Sequence, residues 1–108
     1  MKDAKILIGH ILEACGKIRE YIKGMDEKAF LADNMARDAV LRNIEIIGEA
    51  AKGVTYDFRS KHMEIEWKEM AGMRDRIVHA YFEIDWKLVW ETASKNVPEL
   101  EEKIRKLV

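Results

Sequence analysis

The sequence has little cysteine and little proline, and each shortage excludes a class of structure. Cys15 is the single cysteine among 108 residues, so no disulfide can form within the chain. It lies in an apolar-periodic segment, which predicts a small buried thiol. Pro98 is the single proline, so few positions interrupt a helix. No two histidines have metal-ligand spacing, and we therefore predict neither a metal site nor a cofactor.

Long hydrophobic runs and an excess of one charge are also missing. No stretch of about 18 apolar residues could cross a bilayer, and no secretory leader is visible. We therefore expect a soluble, cytoplasmic protein that does not engage a membrane. Lysine plus arginine total 19 and acidic residues total 20, giving a net charge of -1. A chain of this charge does not attract nucleic acid globally, so any RNA contact must come from a local arginine cluster.

The dominant spacing of apolar residues is helical, and strand-like alternation is absent. The first predicted helix covers roughly residues 2–23. Further helices are predicted over about 27–52 (continuous, or interrupted at Asp33-Asn34), 56–61, 65–81 and 86–95, and in a last segment after Asn96. The stripe of the first helix recurs at spacings of three and four: Leu7, Ile11, Ala14, Ile18 and Ile22.

Predicted helix ends fit this division. Asp26 and Asp85 are expected N-caps, Gly24 and Gly53 are expected stops, and Asn96 is expected to cap a last helix with Pro98 in its first turn. We therefore predict an all-α fold, an up-and-down bundle of about five helices, forming one domain over residues 1–108.

Residues 74–81 concentrate polar side chains that suit phosphodiester chemistry. Histidine moves protons near neutral pH, and arginine offers a planar fork for phosphate oxygens. On one continuous helix Asp75 and His79 would share a face, whereas Arg74 would lie about 140° away from His79. Arg74 would then have to reach round, meet a distorted helix end, or act with a second chain. A helix with such residues is more often a solvated face with incidental ion pairs.

The string Arg74-x4-His79-x-Tyr81 resembles the signature of HepT-like HEPN proteins. Further segments look like the same family in the same order: residues 42–50, 65–67 with 71–74, 84–85 with 89–90, and 97–100. The resemblance covers about residues 30 to 105 of the chain. One variation is Asp75, which stands where asparagine is common in the family.

The resemblance implies a metal-independent endoribonuclease, the toxin of a type II toxin-antitoxin pair. His79 would act as general base or acid on the ribose 2'-hydroxyl, Arg74 would hold the scissile phosphate, and Asp75 would orient one of them. Two chains would form a homodimer with both motifs near a shared cleft. A nucleotidyltransferase antitoxin would be the partner and would adenylylate Tyr81, although this ring could equally cap the core.

Several residues carry two interpretations. Arg76 and Glu49 are candidate supporting residues, and Glu49 is expected either to pair on the surface of its helix or to reach and position Arg74. His10 suits a core edge or a dimer interface better than a ligand role. Arg37 and Arg42 could extend a phosphate-binding patch.

The remaining aromatic and histidine residues favour packing over binding. The three tryptophans are Trp67, Trp86 and Trp90, and core packing is the favoured interpretation over base stacking. His62 lies in a predicted loop without an obvious partner.

Two other functions compete with the ribonuclease. The first is a non-catalytic HEPN module that binds a nucleotidyltransferase or a nucleotide, which the near-zero net charge favours. The second is a purely structural dimerisation bundle, which leaves the polar cluster of residues 74–81 unexplained.

Overall fold

The computed structural model describes residues 3–80 and 83–108. Helix α1 spans Ala4–Tyr21, and Asp3 caps it by accepting a hydrogen bond from the Lys5 amide. The chain then turns at Gly24, whose φ of 78° is accessible mainly to glycine.

The predicted second helix is two helices. Helix α2 spans Glu27–Leu31 and α3 spans Asn34–Gly53. Asp26 caps α2 through the Ala29 amide, as predicted. Asp33 caps α3 through the Ala36 amide, so the interruption left open at Asp33-Asn34 is present.

The C-terminal half consists of shorter elements. Helix α4 spans Tyr56–Lys61, α5 spans Trp67–Ala71 and α6 spans Met73–Ile77. Strands β1 (Val78–Ala80) and β2 (Glu83–Ile84) follow and pair antiparallel. Helix α7 spans Trp86–Glu91, a π-helical turn covers Thr92–Asn96, and α8 spans Val97–Arg105.

One hydrophobic core joins these elements. Helix α1 packs along α3, with α8 against α1 and with α5 and α6 against α3. Fully buried residues from each layer meet in this core: Ile11, Cys15, Ile18, Phe30, Val40, Ile44, Ile47, Val89 and Ile104. The predicted all-helical class and the predicted burial of the Cys15 thiol are confirmed. The structure also has a short two-stranded ribbon formed by β1 and β2. Across residues 3–80 and 83–108, no helix is both long enough and apolar enough to cross a membrane.

The prediction of one helix over residues 65–81 is wrong. Gly72 separates α5 from α6, and α6 ends at Ile77. Val78 adopts an extended backbone (φ -103°, ψ 106°), which suits a β-branched residue. Strand β1 pairs Val78 with Ile84, and the Asp85 amide donates to the Ile77 carbonyl at 2.9 Å. The apolar spacing of this segment is compatible with both conformations, and pairing with the second strand decides between them.

The predicted cap at Asn96 is also wrong. Asn96 has helical dihedral angles and makes no side-chain cap, so α7 continues through the π-helical turn into α8. A proline ring clashes with the carbonyl four residues earlier, which here belongs to Ser94. The wider turn relieves this clash, and the Ser94 hydroxyl donates to the Trp90 carbonyl at 2.7 Å.

Candidate active site

Close packing of α5 on α3 sets the position of Arg74. A Cβ at Gly48 would lie 3.4 Å from the Ala71 carbonyl oxygen and 3.7 Å from that of Met70. Glycine therefore lets the C-terminal end of α5 approach α3 closely. Helix α6 starts directly after this contact, so its first turn lies beside α3.

Arg74 lies between two carboxylates. Its Nε is 3.7 Å from Glu45 Oε2 on α3, and its Nη1 is 3.5 Å from Asp75 Oδ1. The side chains of Arg74 and Glu45 are 46% and 37% exposed. Both separations exceed the usual hydrogen-bond length, so the guanidinium is held by charge and keeps donors for another acceptor.

His79 lies on strand β1 and not on a helix. Its ring is exposed beside an open pocket of about 410 Å³, lined by His79, Glu83, Ile84, Asp85 and Trp86. Asp85 caps α7 by accepting from the Leu88 amide at 3.0 Å, as predicted. This cap and the pairing of β1 with β2 hold the lining residues Glu83, Ile84 and Asp85 in place beside His79.

The expected helical relation between Asp75 and His79 is wrong, because the helix ends at Ile77 before His79 is reached. Asp75 contacts Arg74 instead. The residues that line the His79 pocket do not include Arg74 in the described part of the chain. The described contacts of Arg74 are with Glu45 and Asp75, and none of them is with a residue of that lining. Tyr81 lies outside the described residues.

Glu49 does not reach Arg74. Its side chain is 78% exposed and pairs with Lys52 at 3.8 Å, which is the surface pairing. Glu45, one turn earlier on α3, contacts Arg74 instead. Glu49 also lines a groove between α1 and α3 together with His10 and Arg42.

Arg76 lies apart from the contacts that Arg74 makes with Glu45 and Asp75. It lines a small cleft between α5, α6 and α8 that also contains Glu66, Glu69 and Lys103. A hydrogen bond and the charge of neighbouring Glu66 raise the pKa of the Glu69 carboxyl, while Arg76 opposes this shift. Arg76 therefore partly neutralises the charge of the acidic side chains in this cleft.

The tryptophans divide between core and surface. Trp67 is buried, and its indole N–H donates to the His62 carbonyl at 2.9 Å. Trp90 packs on Phe30, with ring centroids 5.4 Å apart. Trp86 is half-buried and lies at the edge of the His79 pocket.

Arg37 lies against Trp86. The centre of its guanidinium is 4.7 Å from the centroid of the indole ring. Its Nη2 donates to Asn34 Oδ1 at 2.6 Å, and its buried Nε has no hydrogen-bond partner among the described residues. The sequence indicates Arg37 and Trp86 as separate candidates but not their contact, because they are 49 positions apart in the chain. Within residues 3–80 and 83–108, no three His, Cys, Asp or Glu side chains are grouped as metal ligands.

Comparison with known proteins gives the same family as the motif. The family model described as "Ribonuclease HepT-like" matches residues 11–107. A "Putative RNase" of Caldanaerobacter subterraneus subsp. tengcongensis is 40% identical over 108 residues, covering 100% of this chain and 96% of its own. A "Probable ribonuclease HepT" of Thermococcus cleftensis is 43% identical over 106 residues, covering 98% and 96%.

A third relative is a longer protein. This chain is 46% identical over 107 residues to the "Gamma-glutamylcyclotransferase and putative RNase" of Methanocaldococcus jannaschii, covering 99% of this chain and 48% of that protein. The comparison with solved structures gave no significant match. The match over residues 11–107 shows that the chain is a member of the HepT-like ribonuclease family.

Proposed function

We propose that this chain is a metal-independent endoribonuclease that cleaves RNA by attack of the ribose 2'-hydroxyl. The observation that carries the proposal is Arg74, a half-exposed guanidinium held loosely at 3.7 Å and 3.5 Å by two carboxylates. Such a group can exchange a carboxylate for a phosphate oxygen without leaving a buried charge unpaired. Membership of the HepT-like ribonuclease family supports the same chemistry.

His79 is the proton carrier of the proposed step. It takes the proton from the 2'-hydroxyl, the 2'-oxygen forms a bond to phosphorus, and the bond from phosphorus to the 5'-oxygen breaks. The leaving 5'-oxygen takes up a proton from water, and the protonated His79 returns its proton to the solvent. The products are a 2',3'-cyclic phosphate and a 5'-hydroxyl. Arg74 stabilises the charge that develops on the phosphate oxygens.

The separation of Arg74 from the His79 pocket supports a two-chain site. Arg74 contacts Glu45 on α3, whereas the His79 pocket is lined by residues of β1, β2 and the start of α7. We infer a homodimer in which the Arg74 of one chain faces the His79 of the other. Mixing the inactive variants Arg74→Ala and His79→Ala tests this, because a mixed dimer regains one complete site. Activity that stays absent in verified mixed dimers would show that both residues act from one chain.

The experiment for the ribonuclease is cleavage of labelled single-stranded RNA in excess EDTA. The wild type should cut, His79→Ala should not, and the control His62→Ala should cut, because the His62 ring packs on Phe58 at a 4.5 Å centroid distance. A 2'-O-methyl group at the cut position should block cleavage. If no folded preparation cuts any RNA, the non-catalytic partner-binding module becomes the better explanation.

The regulatory part of the proposal concerns Tyr81. A cytoplasmic nucleotidyltransferase antitoxin would transfer AMP from ATP to the Tyr81 hydroxyl, releasing pyrophosphate. The added nucleotide would repel RNA by its charge and its bulk. Mass spectrometry after incubation with ATP and such a transferase should find one adenylyl group on Tyr81 and none on Tyr81→Phe. Modification confined to other residues would contradict this role.

A further inference from the structure

The pocket beside His79 has a lining that suits a base better than a phosphate. Glu83 and Asp85 are acidic, Trp86 is aromatic and Ile84 is aliphatic. Two carboxylates repel a phosphate, whereas a carboxylate oxygen can accept a hydrogen bond from the amino group of a base. The pocket is an open depression of about 410 Å³, so a base would lie against its wall with one side in solvent.

Trp86 is fixed in place by its surroundings. It is the first residue of α7, directly after the Asp85 cap, and it packs partly against the core. Arg37 lies over one face of the ring, 4.7 Å from its centroid. The Nε of Arg37, which is buried and has no hydrogen-bond partner in the described part of the chain, is consistent with an N–H that faces the indole instead of an oxygen. The indole is thus immobilised before any ligand arrives, which reduces the entropy lost on stacking.

Glu83 is the second carboxylate in the lining of this pocket. Asp85 already accepts from the Leu88 amide as a helix cap. Glu83 is exposed on β2, across the ribbon from the strand that carries His79. Its carboxylate can therefore face the edge of a base whose ring lies on Trp86.

We propose that this pocket is a nucleobase subsite, in which Trp86 stacks on the base next to the scissile phosphate and Glu83 selects a base that carries an amino group. Adenine, cytosine and guanine offer such donors, and uracil lacks an exocyclic amino group. Arg37 is a positioning residue for Trp86. The proposal rests on the ribonuclease function above and assigns its base preference.

Binding of 2'-O-methyl oligonucleotides tests the subsite separately from cleavage, because their 2'-oxygen has no proton to lose. Fluorescence anisotropy with labelled eight-residue oligo-A, oligo-C and oligo-U gives three dissociation constants. We expect the wild type to bind oligo-A and oligo-C about tenfold more tightly than oligo-U. Glu83→Gln should bring the three values close together. The matched control Glu91→Gln, an exposed carboxylate of α7 outside the pocket lining, should keep the preference.

Trp86 variants test the stacking part. Trp86→Leu should weaken binding of all three oligonucleotides about tenfold, and Trp86→Phe should restore most of the affinity. If Trp86→Leu does not fold, Arg37→Lys replaces it as the test: it removes the planar guanidinium that positions Trp86 and should weaken binding of all three oligonucleotides, whereas Trp86→Phe keeps an aromatic ring and should not. Equal affinities of the wild type for the three oligonucleotides, or an unchanged preference in Glu83→Gln, would overturn the proposal.

The two proposals fail in different ways. A protein that cleaves RNA through His79 without a base preference retains the ribonuclease and loses the subsite. A protein that binds with the expected preference but cuts nothing retains the subsite and loses the nuclease.

Discussion

Two arginine–carboxylate contacts join distant parts of this chain, and they differ in geometry. Arg19 of α1 donates two hydrogen bonds to Glu101 of α8, at 3.3 Å and 3.2 Å, and Arg105 adds a third at 3.0 Å. Glu101 is only 9% exposed. Arg74 and Glu45 are 3.7 Å apart without a hydrogen bond, and both are much more exposed. We refer to the two contacts as the Glu101 cluster and the Arg74 pair.

The difference indicates different roles. The Glu101 cluster satisfies a buried carboxylate and fastens α8 to α1, so its cations are committed to the fold. The Arg74 pair is partly exposed, and at its 3.7 Å separation the ion pair contributes little to stability. A loose pair is the arrangement expected of a guanidinium that has to release one anion in order to bind another.

The largest effect is expected beside the Glu101 cluster, at Cys15. Burial first, and the charge of Glu101 second, raise the pKa of this thiol from 9.0 to about 12, while Arg19 lowers it. Three pKa units correspond to about a thousandfold smaller thiolate fraction. At pH 8, labelling by a disulfide reagent should therefore be about a thousandfold slower in the folded protein than in urea. Similar labelling rates in the folded protein and in urea would contradict the burial of the Cys15 thiol away from water.

The same shift gives a pH dependence. The unfolded thiol loses its proton near pH 9 and the folded one near 12, so the folded state binds more protons between these values. The contribution of Cys15 to stability is complete below pH 9 and falls as the pH rises towards 12. The free energy of unfolding, measured in urea, should fall more between pH 8 and pH 10 for the wild type than for Cys15→Ala. Parallel losses would remove Cys15 as the cause.

The next largest effect is expected at Arg74 itself. Arg74→Ala should lower kcat/KM for RNA cleavage by at least about a hundredfold, because a donor to the developing charge is lost. Its unfolding free energy should change by less than about 0.5 kcal/mol, since the pair is exposed. Arg76→Ala is the matched comparison and should lose much less activity, because Arg76 lies in the acidic cleft. Equal losses in the two variants would place both arginines at the substrate.

A smaller effect, on stability alone, is expected at Glu101. Glu101→Gln removes the charge from three hydrogen bonds and should cost about 2 kcal/mol, roughly thirtyfold in the folding equilibrium. Urea unfolding monitored by circular dichroism measures this loss. Glu102→Gln, at an exposed neighbouring position, should have the same urea midpoint as the wild type. A Glu101→Gln midpoint equal to that of the wild type would show that the cluster contributes no stability.

The scaffold could be predicted from the sequence because its rules are local. The stripe Leu7, Ile11, Ala14 and Ile18 is buried, and Asp26 and Asp85 cap their helices, as their spacing indicates. The ribbon could not be predicted, because Val78 pairs with Ile84 only after the chain has turned back. The spacing therefore predicts one helix where the structure has α5, α6 and strand β1.

The site could be predicted only in part, for a related reason. Its motif residues are visible in the sequence, but their partners depend on how α3 is rotated against α5 and α6. Gly48 brings α5 close to α3 and thereby places Glu45 beside Arg74. Glu49, one turn further on, is left to pair with Lys52. A helical repeat shows that two glutamates share a face, but not which of them meets a neighbouring element.

The choice between these two glutamates gives the smallest predicted effect. Glu45→Gln removes the carboxylate beside Arg74, so the guanidinium is held less firmly but is freer to bind phosphate. We expect KM for RNA to fall, because the phosphate is bound more tightly. We expect kcat to fall as well, because the product is released more slowly. Each change should be a few-fold. Glu49→Gln should leave both constants at the wild-type values, since its partner is Lys52. Steady-state kinetics should be measured at two salt concentrations. The loss of one surface charge is common to Glu45→Gln and Glu49→Gln and is screened by salt equally in both, whereas an effect through Arg74 is confined to Glu45→Gln. If Glu45→Gln and Glu49→Gln behave alike at both salt concentrations, the Arg74 pair is incidental, and the contrast with the Glu101 cluster reflects burial alone.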